Sequence, residues 1–191
     1  MCWPSKEESE DWQIARFVEY YERLHRRTLV VESKGERPDR TVRDPETGDR
    51  FGVELTSVYL HDRSVPDEHI KHIEQEGQFF DVDDDKEKRI EYRKRIVEAI
   101  AEKVEKARNG YHTRHPLMLS VYLNDYIRWF FRRRDFQEVA LLCERRIGSM
   151  APFCEVVFWP ISPDELSDAP AEAGDSRSTA LSWRPKGQPD R

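Results

Sequence analysis

The 191-residue chain reads as an α/β protein on a central mixed sheet, and three observations predict it. Strand-like segments flank a turn-forming stretch near residue 46, which signals an antiparallel meander. Two helical periodicities are each followed by a strand-like run, the pattern of a helical crossover. One of those runs, Leu117-Met118-Leu119-Ser120-Val121-Tyr122-Leu123, is nearly continuously apolar, as a central strand covered on both faces must be. The predicted order is helix, three strands, helix, strand, helix, strand.

From about Glu8 to Arg27, Ile14, Phe17, Val18, Tyr21 and Leu24 recur at i, i+3, i+4 spacing, which makes an amphipathic first helix. Glu10 falls within that stripe, whereas Glu19 and Glu22 project away, and an acid aimed toward a core needs a partner. Thr28-Leu29-Val30-Val31-Glu32 has the β-branched content of a first strand. A hairpin follows from about Arg37 to Leu60. Its reversal is Asp44-Pro45-Glu46-Thr47-Gly48-Asp49, where proline presets φ, glycine tolerates positive φ and aspartate bonds its own backbone.

A turn centred between Glu46 and Thr47 pairs Arg43 with Arg50, and counting outward sets Asp39 opposite Glu54. Like charges facing each other across a strand pair cost about 0.2 to 1 kcal/mol when solvated and more when buried, unless one is protonated or a cation lies between them. A hard cation such as Mg2+ relieves that repulsion. A loop one residue longer or shorter turns Asp39 to the other face and leaves a solvated hairpin with scattered charges. In the second arm, Gly52, Glu54, Thr56 and Val58 share one face, and Phe51, Val53, Leu55 and Tyr59 the other.

A polar connection with Pro66 and the acidic run Asp81 to Asp85 precedes a long helix from about Lys86 to Asn109. Ile90, Val97, Ile100, Ala101 and Val104 form its buried stripe, and Asn109-Gly110 stops it. After the central strand come a helix from about Asp135 to Gly148 and a last strand, Phe153 to Trp159. Pro, Ser, Asp, Glu and Ala dominate from Ser162 to Arg191, so residues 8–160 are expected to form the α/β domain and 161–191 a disordered or loosely attached tail.

Hydrophobic and charged residues each make up 37% of the chain, a soluble and heavily charged balance. The sequence offers no membrane-length apolar run and no apolar signal core, so the expected location is cytoplasmic. Cys2, Cys143 and Cys154 are too few and too scattered for a disulfide framework or a zinc site and read as packing residues in a reducing compartment. A net charge of −6 argues against a protein coated in positive charge, yet it allows local basic patches. In Arg128-Trp129-Phe130-Phe131-Arg132-Arg133-Arg134, arginines for phosphate alternate with aromatics able to stack on bases; the same pattern fits a core-facing aromatic stripe with a solvated arginine face.

Other constellations carry less. Asp81-Val82-Asp83-Asp84-Asp85 begins like a calcium loop, but Lys86 takes the turn-glycine position and Tyr92 that of the bidentate glutamate. His61, His69 and His72 lack a carboxylate or cysteine partner at diagnostic spacing. No glycine-rich phosphate loop or Gly-x-Ser-x-Gly elbow occurs.

Pro38-Asp39 on one hairpin strand, Glu54-Leu55-Thr56 on the next, and the order of elements over residues 8 to 160 resemble the PD-(D/E)xK phosphodiesterase superfamily, the restriction endonuclease-like nucleases. The resemblance implies a three-layer core, a divalent metal (Mg2+ or Mn2+) on Asp39, Glu54 and the Leu55 carbonyl, and a further acid from the first helix, best matched by Glu10. Thr56 stands where that pattern has lysine. A threonine hydroxyl orients a water but brings no positive charge. Some members take their lysine from a neighbouring helix, which makes Lys103 the first candidate here, ahead of Lys106 and Lys94. The expected function is a metal-dependent nuclease acting on DNA or RNA, with Asp39, Glu54, Thr56 and Lys103 as catalytic residues and Arg128, Arg132, Arg133 and Arg134 on nucleic acid. The alternative is a nuclease-fold module without catalysis that binds nucleic acid or a protein. Expected partners are nucleic acid and, as an allowed arrangement, a second copy of the chain, with no membrane.

Overall fold

The computed structural model describes residues 5–59, 86–111, 113–123, 131, 133–161 and 179–185. Helix α1 (Lys6–His25) starts where Ser5 and Glu8 form a reciprocal capping box and ends at Arg26, whose φ of 54° breaks the helical path. Its stripe buries Ile14, Phe17 and Tyr21, with Val18 and Leu24 packed at the margin.

Strands β1 (Val30–Lys34), β2 (Arg40–Arg43) and β3 (Arg50–Val58) form the antiparallel meander. The turn explains its register. Asp44 Oδ1 accepts the amide N–H groups of Glu46 at 2.8 Å and Thr47 at 3.2 Å, Arg27 Nε donates to Oδ2 at 2.8 Å, and Gly48 takes a φ of 79°. Arg43 therefore pairs with Arg50, and Arg40 with Val53, the alignment that the sequence count predicts.

From β3 the chain crosses through α2 (Lys86–Gly110) to the parallel strand β4 (Leu117–Leu123), then through α3 (Arg133–Ile147) to the parallel strand β5 (Phe153–Ile161). The result is a six-stranded mixed open sheet in sequence order. Two cores divide its faces. Phe51, Val53, Leu55, Met118, Tyr122, Val157 and Trp159 pack toward α1, while Val58, Leu119, Val121, Val156 and Phe158 pack toward α2 and α3. That alternation follows from the period of two along each strand. The α2 stripe is Tyr92, Ile96, Val97, Ile100, Val104 and Ala107; Ile90, expected inside, is 39% exposed near the helix start. Arg93 pairs with Asp135 and Glu138 across α2 and α3.

The sixth strand, β6 (Thr179–Trp183), falls within the stretch 161–191 that is expected as a disordered or loosely attached tail. It pairs antiparallel with β5, setting Val156 against Trp183 and Phe158 against Leu181. Leu181 and Trp183 pack against the α2/α3 core, and alternation with one buried face is enough to specify the pairing. Beside it Glu155, 4% exposed, lies 2.9 Å from His25 Nε2 at the end of α1 and 3.8 Å from Arg184 Nε. The His25 contact is close but does not meet hydrogen-bond geometry. Among the described residues no helix is long and apolar enough to cross a membrane.

Candidate metal and catalytic site

The site forms where β2 leaves β3. The strand pairing ends at Arg40 and Val53, so beyond Val53 the β2-facing edge of β3 loses its backbone partner. A bare amide there would be costly. Asp39 supplies what the strand no longer does: its Oδ2 accepts the Leu55 N–H at 2.8 Å. In an extended strand the N–H and C=O of one residue point to the same side, so the Leu55 carbonyl looks toward Asp39 as well. Pro38 closes over β3 at Gly52, where a Cβ would come within 2.7 Å of the proline Cγ and 2.5 Å of Leu117 Cδ2. Only glycine leaves room for that approach.

Glu54, on the α2 side of β3, is 2% exposed. Its Oε1 accepts from Lys103 Nζ at 2.8 Å and from the Tyr111 hydroxyl at 2.6 Å, while its Oε2 is buried without a hydrogen-bond partner. Among the described residues, Lys103 is therefore the lysine that reaches Glu54. Lys106 instead bonds Glu102 at 2.6 Å on the exposed side of α2, and Lys94 is exposed.

The electrostatics follow from this crowding. Burial pushes the Asp39 carboxyl up from 3.8 to about 6; the Leu55 N–H and Lys103 pull it down, and the Glu54 and Glu10 charges push it further up. Burial, the hydrogen bond to Glu54 and the nearby acids drive the Tyr111 phenol up as well, so it remains a proton donor.

Glu10 reaches the neighbourhood but is shared elsewhere. Arg40, opposite Val53 and thus on the α1 side, is 2% exposed and donates to Glu10 at 3.2 Å, Asp11 at 2.8 Å and the Asp39 carbonyl at 2.7 Å; Lys6 lies 3.4 Å from Glu10 on the solvent side. Thr56 follows on the Glu54 face of β3 and is half-buried. Of the arginine and aromatic stretch, Phe131 is fully buried against Phe136, with ring centroids 5.3 Å apart, so it belongs to the core and cannot stack on a base. Arg133 and Arg134 are exposed at the start of α3. Arg128 and Arg132 lie outside the described residues, as do His61, His69, His72 and the acidic run 81–85.

Tyr111 was not anticipated from the sequence. It lies two helical repeats of four beyond Lys103, with Ala107 between, and its N–H continues the last turn of α2 by donating to Ala107 at 3.2 Å. That i, i+4, i+8 row is the signal that marks it.

Among the described residues no group of three or more His, Cys, Asp or Glu side chains is placed to hold a metal ion. The pair Asp39 and Glu54 nevertheless fits a hard divalent cation in chemistry. Both groups are oxygen acceptors, one oxygen of Glu54 is buried and unpartnered, and the Leu55 carbonyl points to the same edge of β3 as the N–H that Asp39 holds. No protein-family model, curated protein or solved structure matches the chain.

Proposed function

We propose that the chain is a metal-dependent nuclease with a restriction endonuclease-like fold, hydrolysing phosphodiester bonds in DNA or RNA. The carrying observation is the Glu54 carboxylate, buried with Oε2 unpartnered while Lys103 holds Oε1, and close enough to Asp39 for its charge to raise that carboxyl. Asp39, Glu54 and the Leu55 carbonyl would hold Mg2+ or Mn2+, which when bound polarises a phosphate and makes a coordinated water more acidic. Asp39 serves in its ionised form. Lys103 places a positive charge at the acids, where negative charge grows on the phosphate oxygens as the bond to the attacking water forms. Thr56 orients a water through its hydroxyl, and Arg133 and Arg134 supply charge to the flanking backbone.

The test is cleavage of single- and double-stranded DNA and RNA by the purified chain with Mg2+ or Mn2+. Asp39→Ala and Glu54→Ala should abolish cleavage while leaving the circular dichroism spectrum intact, and cleavage that survives both substitutions rejects the site.

The second reading is a nuclease-fold module that binds nucleic acid or a protein without turnover. Thr56 in place of the motif lysine and the sharing of Glu10 with Arg40 and Lys6 favour it. Binding without metal-stimulated cleavage decides for this reading.

A further inference from the structure

We propose that Tyr111 is a positioning residue of the metal centre: its hydroxyl and the Lys103 ammonium occupy Glu54 Oε1 together and leave Oε2 as the oxygen that takes the cation shared with Asp39. The inference rests on the metal-site reading above and adds a residue that neither the motif nor its resemblance supplies.

The two oxygens of the buried Glu54 carboxylate are not equivalent. Oε1 receives two donors, at 2.6 and 2.8 Å, and the shorter contact is in the range of a charge-assisted O–H···O bond. Oε2 is buried with none. Leaving a buried charged acceptor bare is costly, so the arrangement is stabilised by a cation arriving at that oxygen. A carboxylate free at both oxygens can also chelate one ion with both; with Oε1 occupied, Glu54 offers Oε2 alone.

The lysine alone does not fix this choice. Its ammonium is a point charge with rotatable donors on a flexible stem. The tyrosine ring has a rigid reach, and its backbone is anchored by the Tyr111 N–H bond to Ala107 at 3.2 Å. Gly110, immediately before it, lets the Arg37 guanidinium lie close against the helix end, since a Cβ there would stand 2.9 Å from Arg37 Nη1. The phenol is thus held at the carboxylate by a packed helix terminus. Partners that orient metal-binding carboxylates typically contribute a factor of about 10 to 100 in metal affinity.

The experiment uses the full chain and Mn2+ as the probe, with calorimetry for affinity and electron paramagnetic resonance for the environment of the bound ion. The wild type should bind Mn2+, and Glu54→Gln should lose it. Tyr111→Phe, which keeps the ring and removes the donor, should weaken binding about 10- to 100-fold and alter the bound-ion spectrum. Tyr111→Gln, which returns an N–H donor without an imidazole ligand, should bind more tightly than Tyr111→Phe, and if Tyr111→Phe fails to fold it is compared with the wild type alone, from which it should still fall short in affinity. Folded Tyr111 variants with wild-type affinity and spectrum overturn the role of Tyr111 and leave the metal site standing. A wild type that does not bind Mn2+ overturns the metal site itself, and this inference with it.

Discussion

Lys103 Nζ lies 2.8 Å from Glu54 Oε1, joining the middle of α2 to the middle of β3 across 49 positions of sequence. A positive charge thereby reaches the acids although Glu54-Leu55-Thr56 carries none of its own. Because Glu54 is almost fully enclosed, the pair shares one low-dielectric pocket, and neither partner can be removed without consequence for the other.

Lys103→Met should therefore reduce cleavage by a factor of about 100 or more, as expected when a donor aimed at developing charge is lost. It should also destabilise the metal-free protein by roughly 3 kcal/mol, because Glu54 keeps its burial and loses its counter-charge. Urea unfolding with and without Mg2+ checks this. The deficit should shrink when Mg2+ is added, and an unchanged midpoint in the variant argues against the coupling.

Asp39 sets a pH dependence whose sign is fixed by its raised value. The folded state holds the proton more tightly than the unfolded state, so the cost of Asp39 is absent below its ordinary value of 3.8 and develops as pH rises through about 6. At pH 8 without metal, Asp39→Asn should be more stable than the wild type by about 1 to 3 kcal/mol, the upper figure reduced by the partial exposure of the group. The two should converge near pH 4. Cleavage should fall as Asp39 protonates on the acid side, while the stabilised asparagine variant remains inactive at every pH.

Gly52→Ala tests the backbone that holds the site. The new methyl would meet Leu117 Cδ2 and Pro38 Cγ at once, one in the core and the other in a ring that cannot rotate aside. A loss of about 1 to 3 kcal/mol is expected. Weaker Mn2+ binding should accompany it, because Pro38 adjoins Asp39; a variant with wild-type stability and affinity would show that the approach is not tight in solution.

On the other side of the sheet, Glu155 predicts acid sensitivity. Burial alone would raise its carboxyl, but His25, Ser182 and Arg184 outweigh it and hold the value below the ordinary 4.5. Its contribution is therefore present above that value and is lost as pH falls through the lowered folded value. Glu155→Gln should flatten the acid limb of the stability curve. His25→Ala removes the nearest of these partners and should lower the urea-unfolding midpoint.

The hairpin register was legible because it is local: a turn chemistry with one geometry, read outward by counting. Leu117–Leu123 was legible because a strand buried on both faces has little room for polar side chains. Lys103 followed from helical phase once Glu54 had a face. What escaped depends on pairing across the fold. Tyr111 sits past a helix-stopping glycine, and its partner is 57 positions away. Strand β6 is five residues long, and its apolar pair acquires meaning only beside β5. Phe131 looked available to a base because its local sequence is half arginine, yet the core made by α3 claims it.

The early end of β2 gives the acid pair a built-in check on assembly. Asp39 stands in for a strand neighbour at the Leu55 N–H, so it stitches the sheet and faces Glu54 by the same placement. A hairpin slipped by one residue would forfeit that stitch, expose the Leu55 amide and turn Asp39 away to the α1 side. Correct zippering of the meander and assembly of the two carboxylates are thus a single event, and a chain that misaligns its strands cannot present half a site.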